Sequence, residues 1–265
     1  MKKYTYSLFT KPWKTLPSQI LAEKVRTLGF DAVEFPLRSG FQAEPEHAGR
    51  DLPKLAAIFK AEGLAITSVA SDTTEEVFAA CQAAEIPVIR IMAGFDISRS
   101  YLTCEDEFKR YLDTLAPLSE KYGVTVGIQN HCGPMVFNSM QLRHLVEGYD
   151  QKHIAAIWDA AHSGLAGEEP EQGLDIVWDH LCMINFKNAF WRRKNGPEAP
   201  EAIWEPYFTT GRQGMADYPR IALYMKQRGY SGTICLPAEY TDAALTDQLI
   251  PSDLSYVKSL LEAQQ

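Results

Sequence analysis

Short β-branched runs alternate with longer stretches of helical apolar spacing from one end of the chain to the other. Strands are predicted over 4–9, 32–35, 65–70, 88–92, 125–129, 154–158, 183–186 and 232–239. A first helix opens near Pro17, with Ile20, Leu21, Val25 and Leu28 on one face. Further helices are predicted over 52–61, 75–84, 105–121, 139–147, 173–179, 219–228 and 251–263. Gly29, Gly63, Gly123 and Gly229 stand where helices stop, the position at which a left-handed cap favours glycine. Eight strand-then-helix units predict an α/β fold, a closed (β/α)8 TIM barrel forming one domain over residues 1–265. An open doubly wound sheet is the rival, but no G-x-G-x-x-G follows the first strand. Residues 188–214 break the rhythm with Trp191-Arg192-Arg193-Lys194, three prolines and Trp204. They read either as a lid over a site or as a solvated insertion pinned by aromatics.

Composition narrows the classes of function. The 265 residues are 46% hydrophobic and 23% charged, which suits a folded chain with a large core and excludes disorder. Lys and Arg number 26 against 34 Asp and Glu, a net charge of −8 that makes nucleic acid and anionic membranes poor partners. The five cysteines lack C-x-x-C spacing and sit in or beside apolar runs, as reduced thiols do. After Met1-Lys2-Lys3 the chain is too polar for a signal-peptide core, and no apolar run approaches about 18 residues. A soluble cytoplasmic protein is expected, with a homo-oligomer left open.

In such barrels chemistry lies where strands end. Here those ends carry Glu34, then Gln129-Asn130-His131, Asp159 with His162, Asn185-Phe186-Lys187-Asn188, and Glu239. Buried carboxylates and amides need partners, so a cluster of them implies a metal, a polar ligand or a mutual network. Glu239 is the first candidate for base or ligand, against a salt bridge to Lys187 or a loop arginine. Asp159 reads as a ligand or as a helix N-cap, and His162 as a substrate contact and acid, or as a loop-fixing hydrogen bond. His131 and Glu34 are candidates for substrate binding, Lys187 for neutralising an enediolate or a phosphate. Arg192, Arg193 and Lys194 are candidate anion clamps, and Trp13, Trp158, Trp191 and Trp204 candidate walls of a sugar cavity.

The ordered series Gln-Asn-His, Asp-x-x-His, Phe-Lys-Asn, Gly-Arg-Gln-Gly (211–214) and Ala-Glu (238–239) resembles the sugar phosphate isomerase/epimerase superfamily. That xylose-isomerase-like barrel group also takes in tagatose-type epimerases, hydroxypyruvate isomerases, inosose dehydratases and apurinic-site endonucleases. The resemblance implies a divalent ion held by Gln129, Asp159, Asn185 and Glu239, with Gln129 and Asn185 standing where the family has Glu and His. An all-oxygen set suits Mg2+ or Mn2+ better than Zn2+ and binds weakly; the alternative is no metal. Gln129 also cannot abstract a proton. Three readings remain: an isomerase or epimerase acting on a small sugar or polyol by proton abstraction next to a carbonyl, a dehydratase on a related substrate, and an inactive sugar-binding barrel. The endonuclease reading lacks a histidine-rich zinc site.

Overall fold

The computed structural model describes residues 3–262; Met1, Lys2 and Ala263, the last residue of the final predicted helix, lie outside the described residues. The strands are β1 (Tyr4–Phe9), β2 (Ala32–Pro36), β3 (Ala65–Ala70), β4 (Val88–Met92), β5 (Thr125–Gln129), β6 (Ile154–Asp159), β7 (Leu181–Asn185), β8 (Asn188–Arg193), β9 (Trp204–Thr209) and β10 (Gly232–Pro237). The helices are α1 (Ser18–Thr27), α2 (Ala48–Ala61), α3 (Glu75–Ala83), α4 (Tyr101–Tyr122), α5 (Ser139–Val146), α6 (Ala160–Leu165), α7 (Pro170–Val177), α8 (Tyr218–Gln227) and α9 (Thr246–Glu262). β1 to β7 and β10 close into a parallel barrel in the order β1-β10-β7-β6-β5-β4-β3-β2. This is the (β/α)8 barrel that the strand count predicts.

Strand side chains alternate between two cores. Val33, Phe35, Ile89, Ile128, Trp158 and Ile184 pack outward against the helices in one cluster. Phe9, Ala70, Ile157, Met183 and Cys235 point into the barrel and form a second. Gly127 makes room inside: a Cβ there would stand 2.6 Å from Ile157 Cδ1. Alternation then decides the mouth, because Glu34, Arg90, Gln129, Asp159 and Asn185 share the inward parity of that second cluster.

Several boundaries move, each for a local reason. β10 stops at Pro237, so Ala238 and Glu239 lie in the loop beyond the strand. α9 starts at Thr246 and carries Pro251 inside it, giving up one backbone hydrogen bond, so the proline does not mark the start. α4 begins at Tyr101, four residues before the predicted start at 105. α6, six residues long, is too short to announce itself by periodicity. Residues 188–214, expected as a lid or an insertion pinned by aromatics, carry a hairpin: β8 and β9 pair antiparallel from Asn188↔Thr209 to Arg193↔Trp204.

Candidate active site

The loops beyond the strands surround a narrow cavity of about 50 Å³ whose lining includes Lys11, Glu34, Arg38, Arg90, Gln129, His131, Asn185, Lys187 and Glu239. Glu34, Gln129, Asn185, Glu239, His131 and Lys187 thus meet at one mouth. Asp159 and His162 lie beneath it, fully buried and outside the lining.

Asp159 is saturated by donors. Its Oδ1 caps α6, accepting from the Ala161 and His162 amides at 3.0 and 3.3 Å. Its Oδ2 accepts from Gln129 Nε2 at 2.7 Å and from Asn185 Nδ2 at 3.3 Å. Four donors occupy the roughly four lone-pair positions of a carboxylate. Asn130 fixes the backbone on either side, accepting from the Asp159 amide at 2.7 Å. Burial pushes the Asp159 carboxyl up from its usual range, against the pull of Lys187 and His131.

Arg90, in the middle of β4, determines how Gln129 is turned. Its Nε donates to Glu34 Oε1 and its Nη1 to Gln129 Oε1, both at 2.5 Å. A guanidinium has no acceptor, so the amide oxygen of Gln129 must face Arg90 and its NH2 must face Asp159. Cys235 adds its thiol to Glu34 Oε2 at 3.6 Å. Glu239 is held differently: Lys187 Nζ donates to Oε2 at 2.9 Å and Lys11 pairs with Oε1. Burial alone would raise the Glu239 carboxyl, but the two lysines outweigh it and hold it well below the usual carboxylate range. Lys187 lies 4.0 Å from the centre of the Phe208 ring, which the β8–β9 hairpin brings to the mouth.

The two histidines have opposite tautomers. His131 Nδ1 donates to the Cys132 carbonyl at 2.8 Å, leaving the Nε2 lone pair free. His162 Nδ1 accepts from the Cys132 amide at 3.2 Å, so its proton sits on Nε2, buried and without a partner. The rings stand 4.0 Å apart, and burial lowers the pKa of both, keeping them neutral. His162 thus makes the loop-fixing hydrogen bond that was one of its two expected roles. His131, Cys132 and His162 bring ligand atoms within 4.8 Å of one another. A protonated Nε2 on His162 leaves that group fewer donors than the three or four a zinc site uses.

Among the four residues that the family resemblance assigns to a metal, only Asn185 Oδ1 is a buried oxygen with no partner. Gln129 Oε1 is taken by Arg90, Asp159 is saturated, and Glu239 is held by two ammonium groups. That set does not fit a divalent ion. The guanidinium and the lysines stand where its charge would act.

The other sequence candidates separate. Arg192 pairs with Glu205 across the hairpin, Arg193 donates to Asn195 Oδ1 at 3.3 Å, and Lys194 lies 3.7 Å from Glu205, so none lines the mouth. Trp158 is fully buried with Nε1 on Ser139 Oγ, Trp13 donates to Asp247, Trp191 donates to the Leu165 carbonyl, and Trp204 is exposed. The Phe-Lys-Asn and Gly-Arg-Gln-Gly motifs are joined: Asn188 donates to the Gly211 and Ala216 carbonyls at 3.0 and 2.9 Å and accepts from the Ala216 amide. A Cβ on Gly214 would stand 2.0 Å from Asn188 Oδ1, so that motif holds the loop against β8. Lys11 and Arg90 escape sequence reasoning. Arg90 is the one with a signal, a charge inside the apolar run Val88-Ile89-Arg90-Ile91-Met92.

The chain is a closed α/β barrel with a polar layer at the C-terminal strand ends. The sequence profile described as "Xylose isomerase-like TIM barrel" matches residues 22–260, and the chain belongs to that family. An inosose dehydratase of Bacillus velezensis is 22% identical over 137 residues, 50% of this chain and 46% of that one. The chain thus spans about half the length of the curated relatives it matches. The fold is similar to that of D-psicose 3-epimerase from Clostridium cellulolyticum H10, solved with D-tagatose, with a TM-score of 0.73 at 12% identity over 98% of this chain and 100% of that one. It is also similar to a probable 3-DHS dehydratase from Bacillus anthracis, with a TM-score of 0.73 at 13% identity over 96% and 98% of the two chains.

Proposed function

We propose that this chain is an isomerase/epimerase-like enzyme that moves a proton at a carbon next to a carbonyl in a small sugar or polyol derivative. The observation that carries the reading is the Lys187–Glu239 pair at 2.9 Å, set in the mouth beside His131 and the unpaired Asn185 Oδ1. Removing such a proton leaves an enediolate, whose oxygens need positive charge or strong donors in a site shielded from water. Lys187, Lys11 and Arg90 supply that charge in this proposal, so no step needs a divalent ion. Glu239 and His131 are the two proton-handling groups. As the substrate oxygen draws the lysines away, Glu239 gains basicity, and His131 is already neutral with a free Nε2. Asn185 Oδ1 accepts a substrate hydroxyl, and Glu34 keeps Arg90 in place.

Dehydration is the second reading, favoured by the inosose dehydratases among the relatives. It shares the first step and then expels a hydroxyl, for which one base and one acid suffice. A cytoplasmic setting belongs to the same proposal, supported by five free cysteines; among the described residues no helix is long and apolar enough to cross a membrane. The test is nuclear magnetic resonance in D2O with a panel of ketoses, inososes and keto-sugar acids. Deuterium entering next to the carbonyl with a new epimer or isomer supports isomerisation, and an unsaturated product supports dehydration. Neither exchange nor product across the panel would leave the inactive sugar-binding barrel.

A further inference from the structure

Next to the central cavity lies a larger one of about 230 Å³, reached past Arg38, Arg90 and Met92, which border both. It opens between the loops after β2 and β3 and the side of β4, and is also lined by Ser71, Asp72 and Tyr111. Two groups in it have unmet bonding capacity. Ser71 Oγ is buried without a hydrogen-bond partner. Arg38, half-buried, makes no side-chain hydrogen bond or ion pair among the described residues; its Cζ lies 6.0 Å from the centre of the Phe9 ring.

Charge around the mouth points the same way. Four cations, Lys11, Arg38, Arg90 and Lys187, face three anions, Glu34, Asp159 and Glu239. Arg90 takes Glu34, and the two lysines share Glu239. Arg38 is left over. Burial and the nearby Arg90 lower its pKa, and the weaker pull of Glu34 and Glu239 does not offset them.

We propose that this side cavity receives the carboxylate of the substrate, so that the ligand is a sugar acid. The inference rests on the proposed proton transfer at the mouth, which it deepens by naming the substrate class. A guanidinium presents paired N–H donors to a planar carboxylate, and the Ser71 hydroxyl adds a third. With Asp72 at the rim the charges balance, so what favours an anion is local: Arg38 is the cation without an ion pair, which suits a monoanion, and Asp72 opposes a phosphate dianion more strongly than a carboxylate. With the acid group anchored there, the adjoining sugar carbons reach Lys187, His131 and Glu239.

Calorimetric binding tests this on the full chain, with D-glucuronate, D-galacturonate and D-gluconate against D-glucose and D-galactose, and glucose 6-phosphate as the phosphate arm. The expected result is that at least one acid binds about tenfold or more tightly than its neutral counterpart. Arg38→Met should bring that ratio to about one, Arg38→Lys should keep part of it, and Ser71→Ala should reduce it several-fold. Unfolding curves check that the variants fold; removing an unpaired half-buried charge should not destabilise the chain. An unchanged ratio in Arg38→Met, no acid binding at millimolar concentration, or tighter binding of glucose 6-phosphate would each overturn the assignment. Acid binding through Arg38 without deuterium exchange would keep the subsite and remove the proposed chemistry. Turnover of neutral ketoses with the acid ratio near one would do the reverse.

Discussion

Asp159 and Glu239 are two carboxylates that the motif order places in one ligand set, yet their surroundings differ in kind. Asp159 is enclosed by N–H donors with no ammonium or guanidinium in contact, and burial raises its pKa. Glu239, partly open to the mouth, touches two lysines and is held low. Hydrogen bonds from neutral amides tie a carboxylate into the fold, whereas ammonium groups that line the cavity can also turn to a ligand. In the proposed reaction the lower layer is scaffold and the upper layer carries the chemistry. Asp159 ends its strand, whereas Glu239 lies two residues past the end of β10.

That division can be tested from its strongest consequence down. Glu239→Gln should lower deuterium exchange by about 10² to 10⁴-fold, the range for loss of a general acid or base, with the unfolding transition little changed. Arg90→Met should destabilise the chain by about 3–5 kcal/mol, because Glu34 is then a buried charge without its cation. Adding Glu34→Gln should recover most of that loss in urea titrations, and failure to recover would show that the pair is not the cause. Asp159→Asn should cost about 1–3 kcal/mol in the same assay, since one amide oxygen cannot serve both pairs of donors. Its effect on exchange should be smaller than that of Glu239→Gln, and the reverse order would move Asp159 into the chemistry.

The pH dependence separates the layers more gently. His131 works as a base only when neutral, and its pKa lies below the ordinary 6.5. Exchange should stay level around pH 7 and fall only as the pH drops below 6.5. The depressed Glu239 adds stability that is fully present above the ordinary carboxylate pKa of about 4.5 and is lost as the pH falls below it. Asp159, raised by burial, acts oppositely: its ionisation subtracts stability as the pH rises through and above the ordinary 3.8. Melting curves of Glu239→Gln should therefore fall less steeply on the acid side than those of the wild type.

The barrel was legible because the strand and helix periods alternate and because Gly29, Gly63, Gly123 and Gly229 stop helices with positive φ. The polar layer was legible in outline because strand ends break apolar runs. What escaped was orientation. Sequence spacing places Gln129 near Asp159, but only the Arg90 guanidinium decides which end of the amide faces the carboxylate. Lys11 sits in a loop past its strand, where charge is ordinarily solvated, and Arg90 sits inside a run that reads as core. The hairpin was hidden because its strands, broken up by charges and Pro206, are paired with each other and not with the barrel. His162 looked catalytic because Asp-x-x-His puts it one turn from Asp159, and α6 then turns its ring to the Cys132 amide.

The most direct measurement is deuterium exchange by the protein stripped of divalent ions, assayed with a chelator present and again with added Mn2+ on whichever substrate of the panel turns over. Because Arg90, Lys187 and Lys11 occupy the charge positions at the mouth, the rate should be the same in both conditions and should vanish in Glu239→Gln. Exchange that disappears with the chelator and returns with the ion would contradict the account.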